Sequence, residues 1–263
     1  MASIVANEAK HKRDLKAMQH KTSQPDFDVY QGITWTERAR HGVFGVALDM
    51  GDRIGKKNRF LDLVHQTAIR RSLETTHRSY QRALDFGCGG GRLLPLLKDY
   101  ASDVYAVDRT QACLDLARTQ NAIPAERLIC WRDGPAPFAD GFFDLVLCVY
   151  VLLTGAALDT LSPEISRLCA PGGYAIVLEQ ADNSRGLTLQ HYQKTFTHSG
   201  FSLSSVRPIR SSRSRAMNLA LKSWAPTWLS DVSAHWEIAR MKGAKFGDET
   251  PGYFDYLFAL KKN

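Results

Sequence analysis

The sequence predicts an α/β domain with a doubly wound, mostly parallel sheet and helices on both faces, and two observations support this fold class. Apolar strand-like runs alternate with segments of helical period as far as Glu179. The stretch from Ala83 to Leu94, ALDFGCGGGRLL, ends an apolar run in an acid and then passes through glycines into a helix-like segment. Such a turn lets a ligand contact bare backbone and the free N–H groups of the following helix.

The segments before this turn predict a covering layer. Residues 1–25 are polar and charged, and an irregular segment with aromatic residues and glycine follows them. Apolar residues then recur at helical spacing from Phe60 to Leu73, which indicates a helix packed on the sheet. We therefore expect residues 1–78 to form an N-terminal helical or irregular lid and residues 79–263 to form the core.

The segments after the fifth predicted strand indicate a helix, two further strands and an insertion. The predicted bounds are 187–199 for the helix and 201–207 and 252–260 for the strands. The 44 residues from Pro208 to Pro251 are far more than a hairpin turn needs. We predict that they form a helical insertion, which either covers a substrate site or provides a dimerisation surface. Its helix-like pieces lie near residues 216–224 and 231–241.

Three predicted strand ends carry an aspartate, at Asp85, Asp108 and Asp133. Asp108 follows the glycine turn at a suitable distance, because an acid about 20 residues beyond such a turn accepts hydrogen bonds from the ribose hydroxyls of a nucleotide cofactor. Arg92 stands where the dinucleotide fingerprint G-x-G-x-x-G has its third glycine, which disfavours a nicotinamide dinucleotide. Aspartates at strand ends also cap helices, so a purely structural role is the alternative for each.

Four sequence blocks carry a resemblance to a known family. The order D-x-G-x-G-x-G from Asp85 to Gly91 resembles the first motif of class I S-adenosylmethionine-dependent methyltransferases. The blocks AVDRTQACLDLAR (106–118), DGPAPFADGFFDLVLCVYVL (133–152) and ISRLCAPGGYAIVLE (165–179) resemble later motifs in the order of that family. The resemblance implies a Rossmann-like, seven-stranded sheet with an antiparallel last strand and the helical insertion between strands six and seven.

The resemblance also implies which residues bind S-adenosylmethionine and the acceptor. The cofactor set is Asp85, Gly87, Cys88, Gly89 and Gly91 at the amino-acid part, Asp108, Arg109, Arg132, Asp133 and Gly134 at the ribose and adenine, and Val149 near the sulfonium. The acceptor-binding candidates are Tyr30, Trp35, Tyr150, Arg213 and Arg215, and the candidate general bases are His191 and Glu179. The fourth strand ends in CVYVLLT, without the acidic or amide residue that several family members carry there, which leaves the acceptor atom open.

The net charge of +7 is unevenly distributed along the chain. Residues 1–25 contribute +3 and residues 205–245 contribute +6, which leaves −2 for the rest. Positively charged segments attract anionic acceptors such as phosphorylated sugars, lipid-linked glycans or RNA, although a solvated, solubilising surface explains them equally well.

We predict that the protein transfers a methyl group to oxygen or nitrogen of a small-molecule or glycan-like acceptor, and this class includes anionic acceptors. The alternatives are an RNA methyltransferase, a non-catalytic S-adenosylmethionine-binding scaffold protein and an NAD-dependent redox enzyme.

Composition indicates the cellular context. The sequence contains no apolar run of about 18 residues and no secretory signal, so we expect a cytoplasmic protein without a membrane span. Its five cysteines are odd in number and widely spaced, which predicts neither a disulfide framework nor a metal site. The sequence does not predict the oligomeric state.

Overall fold

Helices and strands alternate along the chain, as the periodicity predicts. The computed structural model describes residues 27–28, 33–182, 186–211, 214–222, 224–241 and 253–263. The strands are β1 (Phe27–Asp28), β2 (Ile33–Thr34), β3 (Tyr80–Phe86), β4 (Ala101–Asp108), β5 (Leu128–Cys130), β6 (Phe143–Val149), β7 (Cys169–Asp182), β8 (Phe201–Ser211) and β9 (Tyr253–Lys262). The helices are α1 (Trp35–Ala39), α2 (Gly42–Ala47), α3 (Lys56–Glu74), α4 (Leu94–Lys98), α5 (Gln111–Gln120), α6 (Gly155–Leu168), α7 (Leu189–His198), α8 (Arg215–Ala220) and α9 (Trp228–Met241).

The main sheet has seven strands in the order β5-β4-β3-β6-β7-β9-β8, and β1 and β2 form a separate hairpin. The strands from β3 to β7 pair in parallel, whereas β9 runs antiparallel to both of its neighbours, β7 and β8. The seven strands, the antiparallel last strand and the helices inserted before it confirm the predicted fold class.

The direction of strand addition reverses between β3 and β6. From β3 the chain moves outward through β4 and β5, and it then returns to the other side of β3 as β6. In a sheet of this kind, ligands bind beyond the carboxyl ends of the strands at this reversal. The strand ends concerned are Phe86, Asp108 and Val149.

Each face of the sheet carries its own buried layer. Side chains of β7 alternate, since Ile176 and Leu178 pack with one apolar cluster and Val177 packs with the other. The first cluster includes Phe60 and Ile69 of α3, which confirms the predicted helix on the sheet. The second cluster includes helices α6 and α7.

Strand β8 is longer than predicted. It continues through Pro208 to Ser211, whereas the sequence-based prediction ended it at Arg207. β8 is an edge strand with β9 as its partner, and the register shifts between Pro208 and Arg210, so a proline that lacks an N–H group is tolerated there. The insertion helices also shift, since α8 ends at Ala220 and α9 begins at Trp228.

Among the described residues, no helix combines the length and the apolar character needed to cross a lipid bilayer.

Candidate functional site

The glycine turn after β3 leaves no room for side chains. Gly87, Gly89 and Gly91 have φ of +76°, +52° and +78°, a backbone conformation that favours glycine. A Cβ atom on Gly87 would overlap the Val151 side chain in the loop after β6, and one on Gly89 would lie 2.8 Å from Val46 Cγ1 of α2. The turn is therefore packed tightly between α2 and the loop after β6, at the carboxyl edge of the sheet.

Asp108 joins the glycine turn to the end of β4. Its Oδ2 accepts a hydrogen bond from the Gly89 N–H (2.8 Å), and its Oδ1 accepts one from the Thr110 N–H (2.9 Å). The Asp108 side chain is half-buried, and an ionised carboxylate has about four acceptor positions. The carboxylate can therefore hold the turn and still accept hydrogen bonds from ligand hydroxyl groups.

The predicted adenine residues lie together in the turns after β4 and β5. Arg132 Nε donates to the Arg109 carbonyl (3.1 Å), and Trp131 Nε1 donates to the Gly134 carbonyl (3.0 Å). Asp133, between them, is exposed. The prediction did not include Trp131, although an aromatic residue at a strand end next to an acid was a signal for a ring-binding position.

Asp85, at the end of β3, is a buried carboxyl group. Burial raises its pKa to about 7, with a further increase from the Asp108 carboxylate, while the Arg92 guanidinium opposes the shift. Within the described part of the chain, no hydrogen bond to the Asp85 carboxyl group is seen. A cationic ligand group beside it would stabilise its ionised form.

These residues fit S-adenosylmethionine. The glycine turn lies at the carboxyl edge of the sheet, where folds of this kind bind cofactors, Asp85 offers a carboxylate for the ammonium group, and Asp108 offers acceptors for ribose hydroxyls. Cys88 is buried in the turn, and burial raises the pKa of its thiol well above the usual value, so it is a small, unreactive lining residue.

Tyr150 follows β6 directly and precedes Val151, whose side chain lies against Gly87. Its φ of +57° is unusual for a residue with a side chain, and such strained positions concentrate at functional sites. Its hydroxyl lies 3.2 Å from His65 Nε2 of α3, and the two rings meet edge to face with centroids 5.2 Å apart. Burial and the Asp255 carboxylate raise the pKa of Tyr150 well above its usual value.

The polar contacts of His65 define its proton position. Arg92 Nη2 lies 3.3 Å from His65 Nδ1, and Arg92 Nη1 binds Asp62 Oδ1 at 2.6 Å. Burial and the Arg92 and Arg210 charges lower the pKa of His65 well below its usual value, so the ring is neutral. Because arginine can only donate, Nδ1 must accept, and the single ring proton on Nε2 is donated to Tyr150 Oη. The phenol therefore receives a hydrogen bond and keeps its own proton.

A buried ion pair completes this polar cluster. Arg210 Nε of β8 lies 2.6 Å from Asp255 Oδ2 of β9, and both side chains are at most 5% exposed. Both residues also act on the Tyr150 hydroxyl. The sequence prediction missed His65, Arg210 and Asp255 because they are far apart in the chain. The spacing of Asp62 and His65, three residues apart on a predicted helix, was the signal available.

The two candidate bases make contacts of their own. Oε1 of the buried Glu179 accepts hydrogen bonds from the N–H groups of Val151 (2.7 Å) and Leu152 (2.8 Å), and burial raises its pKa to about 8. His191 Nε2 lies 3.2 Å from Asp159 Oδ1 in an open groove between α6 and α7. Glu179 thus supports the loop that follows Tyr150, whereas His191 bridges two outer helices.

The remaining predicted site residues lie on several segments. Val149 ends β6 and is half-buried, Trp35 begins α1 under the Arg38 guanidinium, and Arg215 is exposed at the start of α8. Helix α1 packs beside α5, the helix that follows β4. Tyr30 and Arg213 lie outside the described residues.

Comparisons with known proteins agree with this geometry. A family model described as a methyltransferase domain matches residues 84–177. Demethylmenaquinone methyltransferase of Deinococcus radiodurans is 32% identical over 148 residues, which cover 54% of this chain and 61% of that protein. The chain spans less than two thirds of the length of the curated relatives it matches.

Two solved structures share the fold. One is a chain of the Haloferax volcanii complex between the Trm112 methyltransferase activator and a methyltransferase, with a TM-score of 0.53, 15% identity, and coverage of 87% of this chain and 96% of that chain. The other is geranyl diphosphate C-methyltransferase from Streptomyces coelicolor with bound S-adenosylhomocysteine, with a TM-score of 0.51, 12% identity, and coverage of 71% and 72%. Residues 84–177 of this chain therefore match a methyltransferase domain, and both solved structures share the fold of the chain.

Proposed function

We propose that this chain transfers the methyl group of S-adenosylmethionine to oxygen or nitrogen of a small-molecule acceptor, with anionic and glycan-like compounds in the acceptor class. The observation that carries the proposal is the meeting of three strand ends at one edge. The Gly89–Asp108 hydrogen bond joins the ends of β3 and β4, and the contact of Gly87 with Val151 joins β3 to the loop after β6. We infer that the cofactor cleft lies at this edge, between the cofactor-binding groups and Tyr150.

Each residue has a defined role in this proposal. S-adenosylmethionine supplies a methyl group activated on a positively charged sulfur, and the chain supplies position. Asp85 pairs with the ammonium group, Asp108 accepts from the ribose hydroxyls, and Val149 and Tyr150 border the methyl group. The adenine lies among Arg109, Arg132, Asp133 and Gly134.

The state of Tyr150 favours acceptors that need no base. Its pKa is raised, and its oxygen already accepts from His65, so it is a neutral phenol that can donate but does not remove a proton. Carboxylate or phosphate oxygen and uncharged amines accept a methyl group without prior deprotonation. A hydroxyl acceptor would require a base, and the assignment of that role to Glu179 or His191 stays a prediction.

A quinone-type acceptor is a second candidate. The Deinococcus radiodurans relative is named for demethylmenaquinone, an aromatic and apolar compound. Phe44 and Ile54 have exposed apolar side chains in the segments that precede α3, and Phe44 belongs to helix α2, which contacts the glycine turn through Val46. An apolar acceptor would contact such side chains on its way to the cleft.

Calorimetry with S-adenosylhomocysteine tests the cofactor site. We expect Asp108→Asn to weaken binding at least about tenfold, because charge-assisted hydrogen bonds contribute about 1.5–3 kcal/mol. Asp103→Asn is the matched control, since Asp103 lies on the same strand and pairs with Arg127. Equal affinities for both variants would overturn the site.

Transfer of labelled methyl to carboxylates, phosphates, amines and quinols then tests the acceptor class. Cofactor binding without transfer to any acceptor or cell extract would instead indicate a non-catalytic binding protein.

A further inference from the structure

Exposed apolar side chains are concentrated in one part of this molecule. Eight large apolar side chains are exposed in the described residues, and all lie within residues 44–54 or 219–236. They are Phe44, Ile54, Leu219, Leu221, Trp224, Trp228, Val232 and Trp236, and we call this set the apolar rim. Single exposed apolar residues are normal on soluble proteins, but clustered ones mark an interaction surface.

Helix α9 presents a continuous apolar stripe to solvent. Trp228, Val232 and Trp236 are four residues apart and are 61%, 56% and 50% exposed. Residues at this spacing lie on one helix face. The opposite face is buried through Ala234 and Ile238, so among the described residues the outer stripe is not required for packing.

Polar contacts connect the two parts of the apolar rim. Lys56 Nζ, at the start of α3, donates to the Lys222 carbonyl (3.0 Å) and the Ala225 carbonyl (2.6 Å). Arg59 of α3 binds both carboxylate oxygens of Asp231 in α9, at 2.9 Å and 2.8 Å. Ile54 lies two residues before Lys56, so the segment before α3 and the insertion form one surface.

This surface lies at the same edge of the sheet as the cofactor site. α3 is followed by β3 after a short connection and packs on the sheet, so its first residues lie at the carboxyl end of β3. Helix α2, which carries Phe44, contacts the glycine turn through Val46. The apolar rim therefore lies at the same edge of the sheet as the proposed cofactor cleft.

The charge of the apolar rim is positive. In the described part of the insertion, Arg215 and Lys222 are exposed, and Arg240 pairs with Glu237. The two acids there are engaged, because Asp231 pairs with Arg59 and the fully buried Glu237 pairs with Arg240. An anionic partner is therefore favoured, and a second copy of the same face would bring like charges together.

We propose that the apolar rim docks on the surface of an anionic phospholipid bilayer, with the cleft entrance facing the membrane. Tryptophan side chains prefer the boundary between headgroups and hydrocarbon, and basic residues are attracted to anionic headgroups. The aliphatic members Ile54, Leu219, Leu221 and Val232 gain from burial in hydrocarbon, whereas they offer nothing to the bases of RNA. This contact is with the membrane surface and needs no spanning helix.

Flotation with lipid vesicles tests the proposal. We expect the full chain to float with vesicles of equal parts phosphatidylglycerol and phosphatidylcholine, to float less with phosphatidylcholine alone, and to be released by salt. The double variant Trp228→Ala, Trp236→Ala should bind the anionic vesicles at least about tenfold more weakly, because it lacks two large apolar side chains that docking would bury in the membrane. Its affinity for S-adenosylhomocysteine should stay unchanged, which also shows that the variant is folded.

Tyr174→Ala is the control, because Tyr174 is a half-buried aromatic residue at the position where β7 begins to pair with β9, away from the carboxyl end of β7. Equal vesicle binding by the native chain and the double variant would overturn the proposal, as would no binding to either vesicle. Loss of a dimer in the double variant would assign the apolar rim to a second copy, and RNA binding that depends on these tryptophans would assign it to RNA. The vesicle experiment needs no methyl acceptor. A negative result would therefore overturn the membrane docking and leave the proposed methyl transfer untouched.

Discussion

At the scale of single residues, Asp85 is a carboxyl group whose charge depends on its ligand. In the free protein its pKa is about 7, because burial disfavours the carboxylate. An ammonium group bound beside it would lower that pKa. Cofactor binding should therefore convert a partly protonated acid into a carboxylate and release a proton.

This proton release is measurable by calorimetry. At pH 7 we expect about half a proton to leave per S-adenosylhomocysteine bound, seen as a dependence of the apparent enthalpy on the ionisation enthalpy of the buffer. Asp85→Asn should remove the release, whereas Asp103→Asn should preserve it. The same release in both variants would show that another group titrates on binding.

Tyr150 shows what sequence reasoning captures for a single residue. Its place directly after the fourth strand of the core was predictable, because strand order and the carboxyl edge follow from the motif order, and its position near the methyl group stays a prediction. The hydrogen bonds of its hydroxyl group could not be predicted from the sequence. They depend on His65, which is 85 positions away, and on a tautomer set by Arg92.

At the scale of secondary-structure elements, the Arg210–Asp255 pair joins the two antiparallel strands β8 and β9 inside the molecule. We expect Asp255→Ala to lower the free energy of unfolding by about 3–5 kcal/mol, because it leaves a buried guanidinium without its counter-charge. The double variant Arg210→Met, Asp255→Leu should recover most of the loss. Chemical denaturation measures both effects.

The exposed pair Arg70–Asp99 is the matched control, with a 2.7 Å contact and side chains 39% and 53% exposed. Because water screens it, Asp99→Ala should cost at most about 1 kcal/mol. Equal losses at Asp255 and Asp99 would contradict the burial argument.

The elements themselves were largely predictable, and their ends were less so. Regular apolar spacing located α3, because a 3.6-residue period must bury one face. The extension of β8 through Pro208 was not predictable, because a proline is acceptable only if the strand lies at an edge, and the pairing decides that.

At the scale of the whole molecule, stability should fall as the pH rises from 7 to 8. Glu179 has a folded pKa of about 8 against an ordinary value of 4.5, so the folded state binds more protons than the unfolded state in this range. The free energy of unfolding then decreases with pH, by up to about 1.4 kcal/mol per pH unit for one group. The titration of His65 has the opposite effect, so that it makes the free energy of unfolding increase with pH. This effect is confined to pH values below the ordinary histidine pKa of 6.5, because the pKa of His65 in the folded state is lowered.

Urea unfolding between pH 6.5 and 8.5 checks this expectation. In Glu179→Gln, the free energy of unfolding should decrease less with pH than in the native chain. In Glu164→Gln the decrease should be unchanged, because the pKa of Glu164 is lowered and the group titrates below pH 6.5. A decline that persists unchanged in Glu179→Gln would assign the effect to another buried group.

The sequence by itself determined the sheet, the glycine turn and the acids at the ends of its strands, because hydrophobic period and turn chemistry are local properties of the chain. Only the tertiary structure decided that His65, Arg210 and Asp255 surround Tyr150, and that α9, which carries exposed tryptophans, packs beside α3 through the Asp231–Arg59 pair. These arrangements depend on which helix covers which strand and on the pairing of β8 with β9. Packing between distant segments sets such contacts, and no local pattern encodes them.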